Sequence, residues 1–363
     1  MTAPRPAPIR VLVVDDSAFV RRVLTDELGR HPDLEVVGTA VDPYAAREKI
    51  VRLRPDVVTL DVEMPRMDGL SFLAKLMRHL PTPVVVVSSL AARDSEVAVR
   101  ALALGAVDVV AKPGSARSVQ GVVDDLVRAV RTAAAARVGP VTASTPAGSI
   151  VTPGGDVPPP GAGEPAHRVL AVGASTGGTQ AIERLLRALP ADAPGTVIVQ
   201  HMPATFTGAF ARRLDGLAAM AVREAADGDA VAPGVALIAP GGQHLVVQRA
   251  GAGFVARVKD GPPVHHQRPA VDVLFQSVAR HAGRHAVGVL LTGMGADGAR
   301  GLLAMRQAGA HTIAQDEATC VVYGMPAEAV RLGAAAEVLP LGDVAPAALR
   351  ALAHRPEGVT VPV

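Results

Sequence analysis

Two rhythms of hydrophobic and polar positions alternate along this chain. Short unbroken apolar runs mark strands buried on both faces of a parallel sheet, and stretches with apolar residues three and four apart mark amphipathic helices. The first half predicts strands at residues 11–14 (VLVV), 34–38 (LEVVG), 56–60 (DVVTL), 83–87 (PVVVV) and 106–110 (AVDVV). Helices are predicted between and after them, at about 17–29, 43–53, 69–79, 94–104 and 119–136. Strand and helix in strict alternation give an α/β domain, a parallel sheet covered on both faces. The alternation resumes at Arg168, with an apolar run at 169–172, a glycine-rich turn at 173–178 and a helical face of Ala181, Ile182, Leu185 and Leu186. Residues 196–203, 285–298 and 311–317 read as further strands with polar ends. Between them, over about 222–258, paired alternating runs predict a β-hairpin inserted into a doubly wound α/β frame.

The two halves are separated by TASTPAGSIVTPGGDVPPPGAGEP, which has no hydrophobic period and is dense in Pro, Gly, Ser and Thr. Such a stretch cannot bury enough apolar surface to order itself. The expected organisation is therefore a domain over 8–131, a linker over 132–167 and a second domain over 168–355. With 363 residues each domain can bury its own core, and 49% hydrophobic against 19% charged residues fits a folded protein. Only 2% of residues are aromatic, so the cores must be aliphatic and recognition by stacking on bases or sugars is disfavoured. The formal charge is +2 with basic residues scattered, which leaves no electrostatic footprint for nucleic acid. The lone Cys320 cannot form an internal disulfide and is expected to be a buried thiol. No apolar run is long enough to span a bilayer and the N-terminus lacks a signal-peptide core, so a cytoplasmic location is expected.

In a parallel α/β sheet, function sits at the carboxyl ends of the strands. Asp15 and Asp16 end the first predicted strand, Asp61 the third and Ser88 the fourth, while Lys112-Pro113 follows the fifth. Carboxylates that converge repel one another, so they need a divalent cation or a lysine to stay ionised together; Mg²⁺ suits an all-oxygen site. Singly, Asp16 could cap the following helix and Asp61 could open a turn. Through VVDDS, LDVEMPRMDG, VSS and AKP, this half resembles the receiver domains of two-component response regulators, which are flavodoxin-like. The resemblance implies that Asp61 takes a phosphoryl group from a histidine kinase. It also implies that Asp15, Asp16, Asp61 and the backbone carbonyl of Glu63 hold Mg²⁺, that Ser88 and Lys112 contact the phosphoryl oxygens, and that Lys112-Pro113 is cis. Val109 stands where many receivers carry an aromatic switch residue, a departure from the rotamer-switch pattern.

In the second half, Gly173-Ala174-Ser175-Thr176-Gly177-Gly178 joins a strand to a helix. A serine there is exposed beside backbone N–H groups and the positive end of the helix, as an acyl-transfer nucleophile requires, although the same string suits a phosphate-cradling loop. His201 and Asp297 fall at other strand ends and are chemically complementary: the histidine would deprotonate Ser175 and the aspartate would orient the imidazole. His244, His265, His266, Asp272 and Asp316 compete for these roles, with Asp272 weakened by its place in a helix's first turn. GASTGGTQAI, IVQHMPATFT, APGGQHL, RPAVDVLFQS, TGMGADGARG and CVVYGMP together resemble the catalytic domain of the chemotaxis protein-glutamate methylesterases.

That resemblance implies a Ser175–His201–Asp297 triad, an oxyanion met by backbone N–H groups at Thr176 and Met294, and a cleft lined by His244 and Arg268. The implied reaction is hydrolysis of glutamate 5-O-methyl esters on methyl-accepting chemoreceptors, with receptor glutamine deamidation as a further possibility of the same acyl route. Ester hydrolysis needs no cofactor in this reading, and phosphorylation of the receiver activates the enzyme. The competing class is a response regulator whose second domain binds a nucleotide or a partner without catalysis.

Overall fold

The computed structural model describes residues 7–64, 69–88, 92–112, 119–139 and 168–353. The chain forms two compact units, one within residues 1–148 and the other within 149–363. In the first, the elements run β1 (Ile9–Val14), α1 (Ala18–Leu28), β2 (Leu34–Ala40), α2 (Pro43–Leu53), β3 (Val57–Asp61), α3 (Gly69–His79), β4 (Val84–Ser88), α4 (Ala92–Ala103), β5 (Asp108–Ala111) and α5 (Val119–Ala134). The strands pair in parallel in the order β2-β1-β3-β4-β5. Every residue of β3 and β4 is buried, which is why their sequences are apolar without alternation. Ser17 caps α1, its hydroxyl accepting from the Val20 N–H at 3.4 Å. Asp16 therefore does not serve as the cap, and the bland reading of that residue falls away.

The elements match the hydrophobic pattern to within a few residues at their ends, where capping rather than periodicity sets the limit. Helix α5 runs to Ala134, with Thr132 and Ala133 buried, so packed structure continues past residue 131. The helix predicted over 119–136 already reached into the alanine run that composition had grouped with the linker. Residues 140–167 lie outside the described residues, as does Pro113, and with it the expected cis Lys112-Pro113 bond.

The second unit begins with β6 (Val169–Ala174), α6 (Gly178–Arg187), β7 (Gly195–Gln200), α7 (Ala204–Asp215), β8 (Ala221–Glu224), β9 (Val235–Ile238), β10 (His244–Ala250) and β11 (Gly253–Lys259). It continues with α8 (Val271–His281), β12 (Ala286–Leu290), α9 (Ala299–Gln307), β13 (His311–Gln315), α10 (Met325–Arg331), β14 (Glu337–Leu339) and α11 (Leu341–Ala353). Seven strands form a parallel sheet in the order β14-β13-β12-β6-β7-β9-β8. The predicted hairpin exists but is shorter than expected: only β10 and β11 pair antiparallel, while β8 and β9 complete one edge of the main sheet. Alternation marks a strand with one exposed face, and both a hairpin and a sheet edge have one. Strands β6 and β7 are buried along their whole length, and α6 buries Ala181, Ile182, Leu185 and Leu186. The core is almost wholly aliphatic, with Phe275 among its largest members. Strand order reverses about β6, whose neighbours are β12 and β7, so the ends of these three strands open on the crevice where such sheets bind ligands.

Candidate active site

Each of the three central strands delivers one residue of the predicted triad. Ser175 follows the last residue of β6, His201 follows the last residue of β7, and Asp297 lies in the turn between β12 and α9. Backbone bonds tie these turns together: the Ser175 N–H donates to the Thr292 carbonyl at 3.0 Å and the His201 N–H to the Ala174 carbonyl at 3.2 Å. The Gly178 N–H donates to the Ser175 carbonyl at 2.7 Å. Two N–H groups of the glycine-rich turn are thus engaged within the protein, which weakens its reading as a phosphate cradle. Gly293 allows the close approach: a Cβ there would lie 2.8 Å from the Ser175 Cβ and 3.1 Å from its backbone nitrogen.

His201 Nε2 meets Asp297 Oδ2 at 2.8 Å, and both side chains are almost fully buried. Asp297 also accepts from the first N–H groups of α8, Val271 at 2.7 Å and Asp272 at 2.9 Å. Burial pushes the Asp297 carboxyl up, but the His201 hydrogen bond and charge, with those two backbone donors, outweigh it and hold the group below its ordinary range. The other imidazole nitrogen, Nδ1, is buried and has no hydrogen-bond partner among the described residues. The structure thus joins His201 to Asp297 and leaves the Ser175 hydroxyl unbonded to the imidazole, an arrangement common before substrate tightens a site.

Thr176 and Met294 sit on the turns after β6 and β12. The Thr292 hydroxyl donates to the Thr176 carbonyl at 3.0 Å, and the Thr176 N–H has no acceptor among the described residues. The Met294 side chain is exposed beside Gly293. His244, expected along the cleft, braces the loop before α8. It is buried, Nε2 donating to the Pro262 carbonyl at 3.0 Å and Nδ1 accepting from the Ala270 N–H at 3.3 Å. Exposed Arg268 donates to the Gly261 carbonyl at 2.8 Å.

Sequence reasoning gave Asp272 too little weight. It does lie in the first turn of α8, but it is buried, accepting from the Gly301 N–H at 2.6 Å and pairing with His265 Nε2 at 3.0 Å. Burial and the neighbouring Asp297 charge raise its carboxyl. Two helix N-termini therefore cap one another: α8 holds Asp297, and Asp272 of α8 holds α9. An acidic residue opening one helix and another preceding the next was the sequence signal for this exchange.

In the first unit, carboxylate oxygens of Asp15, Asp16 and Asp61 all lie within 4.8 Å of one another. Lys112 Nζ is 2.6 Å from Asp61 Oδ2 and 3.6 Å from Asp15 Oδ2. Asp61 Oδ1 accepts from the Glu63 N–H at 2.9 Å, which turns the chain so that Glu63 follows closely. Ser88 is buried at the end of β4, and its carbonyl accepts from the Lys112 N–H at 2.8 Å. Burial and the Asp61 charge raise the Asp15 carboxyl. Burial pulls the Lys112 ammonium down, but the Asp61 hydrogen bond and the surrounding carboxylates raise it overall. Asp15 Oδ2 is buried without a hydrogen-bond partner among the described residues. Three carboxylates against one lysine, with an orphaned oxygen among them, suit a divalent cation.

Residues 170–348 match the CheB methylesterase family and residues 11–124 the response regulator receiver domain. Over 337 residues the chain is 55% identical to protein-glutamate methylesterase/protein-glutamine glutaminase 2 of Syntrophus aciditrophicus (strain SB), covering 93% of this chain and 97% of that one. The chain belongs to the CheB methylesterase family. A like-named protein, number 5 of Anaeromyxobacter dehalogenans (strain 2CP-C), is 58% identical over 353 residues, covering 94% and 96% of the two chains. The crystal structure of the Thermotoga maritima CheB methylesterase catalytic domain is 35% identical, with a TM-score of 0.49, covering 50% of this chain and 97% of that one. This methylesterase thus has the expected architecture, a flavodoxin-like receiver followed by a CheB catalytic domain. No helix among its described residues is long and apolar enough to cross a membrane.

Proposed function

We propose that the chain hydrolyses glutamate 5-O-methyl esters on methyl-accepting chemoreceptors, giving glutamate and methanol, with Ser175, His201 and Asp297 as the triad. The observation that carries this reading is the buried His201–Asp297 pair, seated on the N-terminus of α8 one strand away from Ser175. Asp297 fixes the proton on Nε2, which leaves Nδ1 as the nitrogen that acts as base. Ser175 attacks the ester carbonyl as its proton passes to Nδ1. The N–H groups of Thr176 and Met294 receive the oxyanion. The imidazolium then protonates the departing methoxide, the acyl bond to Ser175 is cleaved by water that His201 deprotonates, and Ser175 regains its proton. An amide in place of the ester would release ammonia by the same route, which matches the glutaminase in the relatives' names.

The receiver regulates this activity in our reading: Asp61 accepts a phosphoryl group from a histidine kinase of the chemotaxis pathway. Lys112 and Ser88 contact the phosphoryl oxygens, and the carboxylates of Asp15, Asp16 and Asp61 with the Glu63 carbonyl hold Mg²⁺. Bound there, Mg²⁺ supplies charge neutralisation to the transferring group. The deciding experiment is methanol release from methylated receptor by wild type and Ser175→Ala. Loss of turnover with an unchanged circular dichroism spectrum is expected; sustained turnover in the variant refutes the assignment.

A further inference from the structure

Strand β7 is buried from end to end and closes on Gln200, whose side chain lies between the nucleophile turn and the histidine turn. Its Nε2 donates to the Ser175 carbonyl at 2.9 Å and to the His201 carbonyl at 3.2 Å. Its Oε1 is buried and has no hydrogen-bond partner among the described residues. The amide orientation is fixed by this network, because the reverse would press the oxygen against two carbonyls. The surrounding chain is shaped around the group: a Cβ at residue 178 would come within 2.2 Å of Oε1, so the position holds glycine.

An orphaned buried acceptor calls for an explanation, since an apolar side chain of the same length would fill this space without one. Packing alone thus favours methionine or leucine over glutamine. What the amide adds is a pair of donors that join the main chains of Ser175 and His201, the two residues between which a proton must move. We propose that Gln200 is a positioning residue that sets the spacing of nucleophile and base, an inference that rests on the proposed roles of Ser175 and His201.

The test uses the full chain and three readouts: methanol release from methylated receptor, the rate of Ser175 labelling by a fluorophosphonate, and thermal melting. Gln200→Met removes the donors and the orphaned acceptor together. The Ser175 carbonyl keeps its Gly178 donor but the His201 carbonyl loses its side-chain donor, so a modest drop in melting temperature is expected while kcat falls about 10- to 100-fold with KM little changed, the signature of lost orientation. Labelling should slow in parallel. Gln200→Glu supplies a carboxyl that donates one bond only when protonated, so its rate relative to wild type should climb as pH falls from about 8 to about 6. Full kcat in a folded Gln200→Met, or a Gln200→Glu ratio flat with pH, overturns the proposal; failure of both variants to fold makes the group structural and overturns it too. A wild type that neither labels nor releases methanol instead overturns the esterase reading beneath it.

Discussion

Replacing Asp297 by asparagine tests the catalytic reading most sharply, because three donors converge on its two oxygens. His201 Nε2 and the Val271 N–H share Oδ2, and the Asp272 N–H takes Oδ1. Asparagine offers one oxygen and one NH₂. If the oxygen faces His201, the NH₂ confronts the Asp272 N–H, donor against donor. If it faces Asp272, the NH₂ confronts His201, whose proton must then sit on Nδ1, and Ser175 loses its base. Hydrogen bonds to a charged group contribute about 1.5–3 kcal/mol each, so losing one costs about 2 kcal/mol and lowers the melting temperature by about 4–8 °C. Turnover should fall about 10⁴-fold, the scale of a histidine held in the wrong tautomer. The Asp297 carboxyl is held below its ordinary range. Its stabilising contribution is therefore complete above the unfolded value of about 3.9 and is lost as pH falls through the lower folded value. The melting difference between wild type and Asp297→Asn should be constant at neutral pH and shrink in strong acid. Calorimetry and methanol release check both parts. Turnover within tenfold of wild type would refute the reasoning.

Two further outcomes follow from the geometry. Gly293→Ala places a Cβ 2.8 Å from that of Ser175 and 2.3 Å from Met325 Sδ; the thioether can yield but the nucleophile turn cannot. Stability should fall by about 1–3 kcal/mol and fluorophosphonate labelling of Ser175 should drop at least about tenfold, whereas labelling at the wild-type rate would show that the turns are not locked together. In the receiver, Asp15 is raised by burial and by the Asp61 charge, so its ionisation costs stability progressively as pH climbs from the ordinary carboxylate value to that raised value, with the full cost in place above it. Mg²⁺ at ten times its Kd should add about 1.4 kcal/mol near neutral pH, read as an upward shift of the receiver's melting transition. The shift should fade as pH falls through the folded value and shrink in Asp15→Asn; a shift unchanged by the substitution would place the cation elsewhere.

The sequence by itself determined the elements, the two units and the residue types at the strand ends, because burial on both faces of a parallel sheet writes itself as unbroken apolar runs. Ser175 and His201 stood out as polar residues just past such runs and Asp297 in the glycine-rich turn after one, while Asp15, Asp61 and Lys112 did likewise at strand ends in the receiver. What only the tertiary structure decided was which neighbours those residues have. The edge strands β8 and β9 alternate much as the β10–β11 hairpin does, so periodicity could not separate them; strand pairing did. Asp272 looked like an ordinary first-turn acid until the packing of α8 against α9 made it the partner of the Gly301 N–H. Gln200 carried no sequence signal of its own, and its hold on the Ser175 carbonyl exists only because β6 and β7 lie side by side. Hydrophobic pattern is a local property of the chain, whereas hydrogen bonds between residues distant in sequence depend on strand order, which local pattern does not encode.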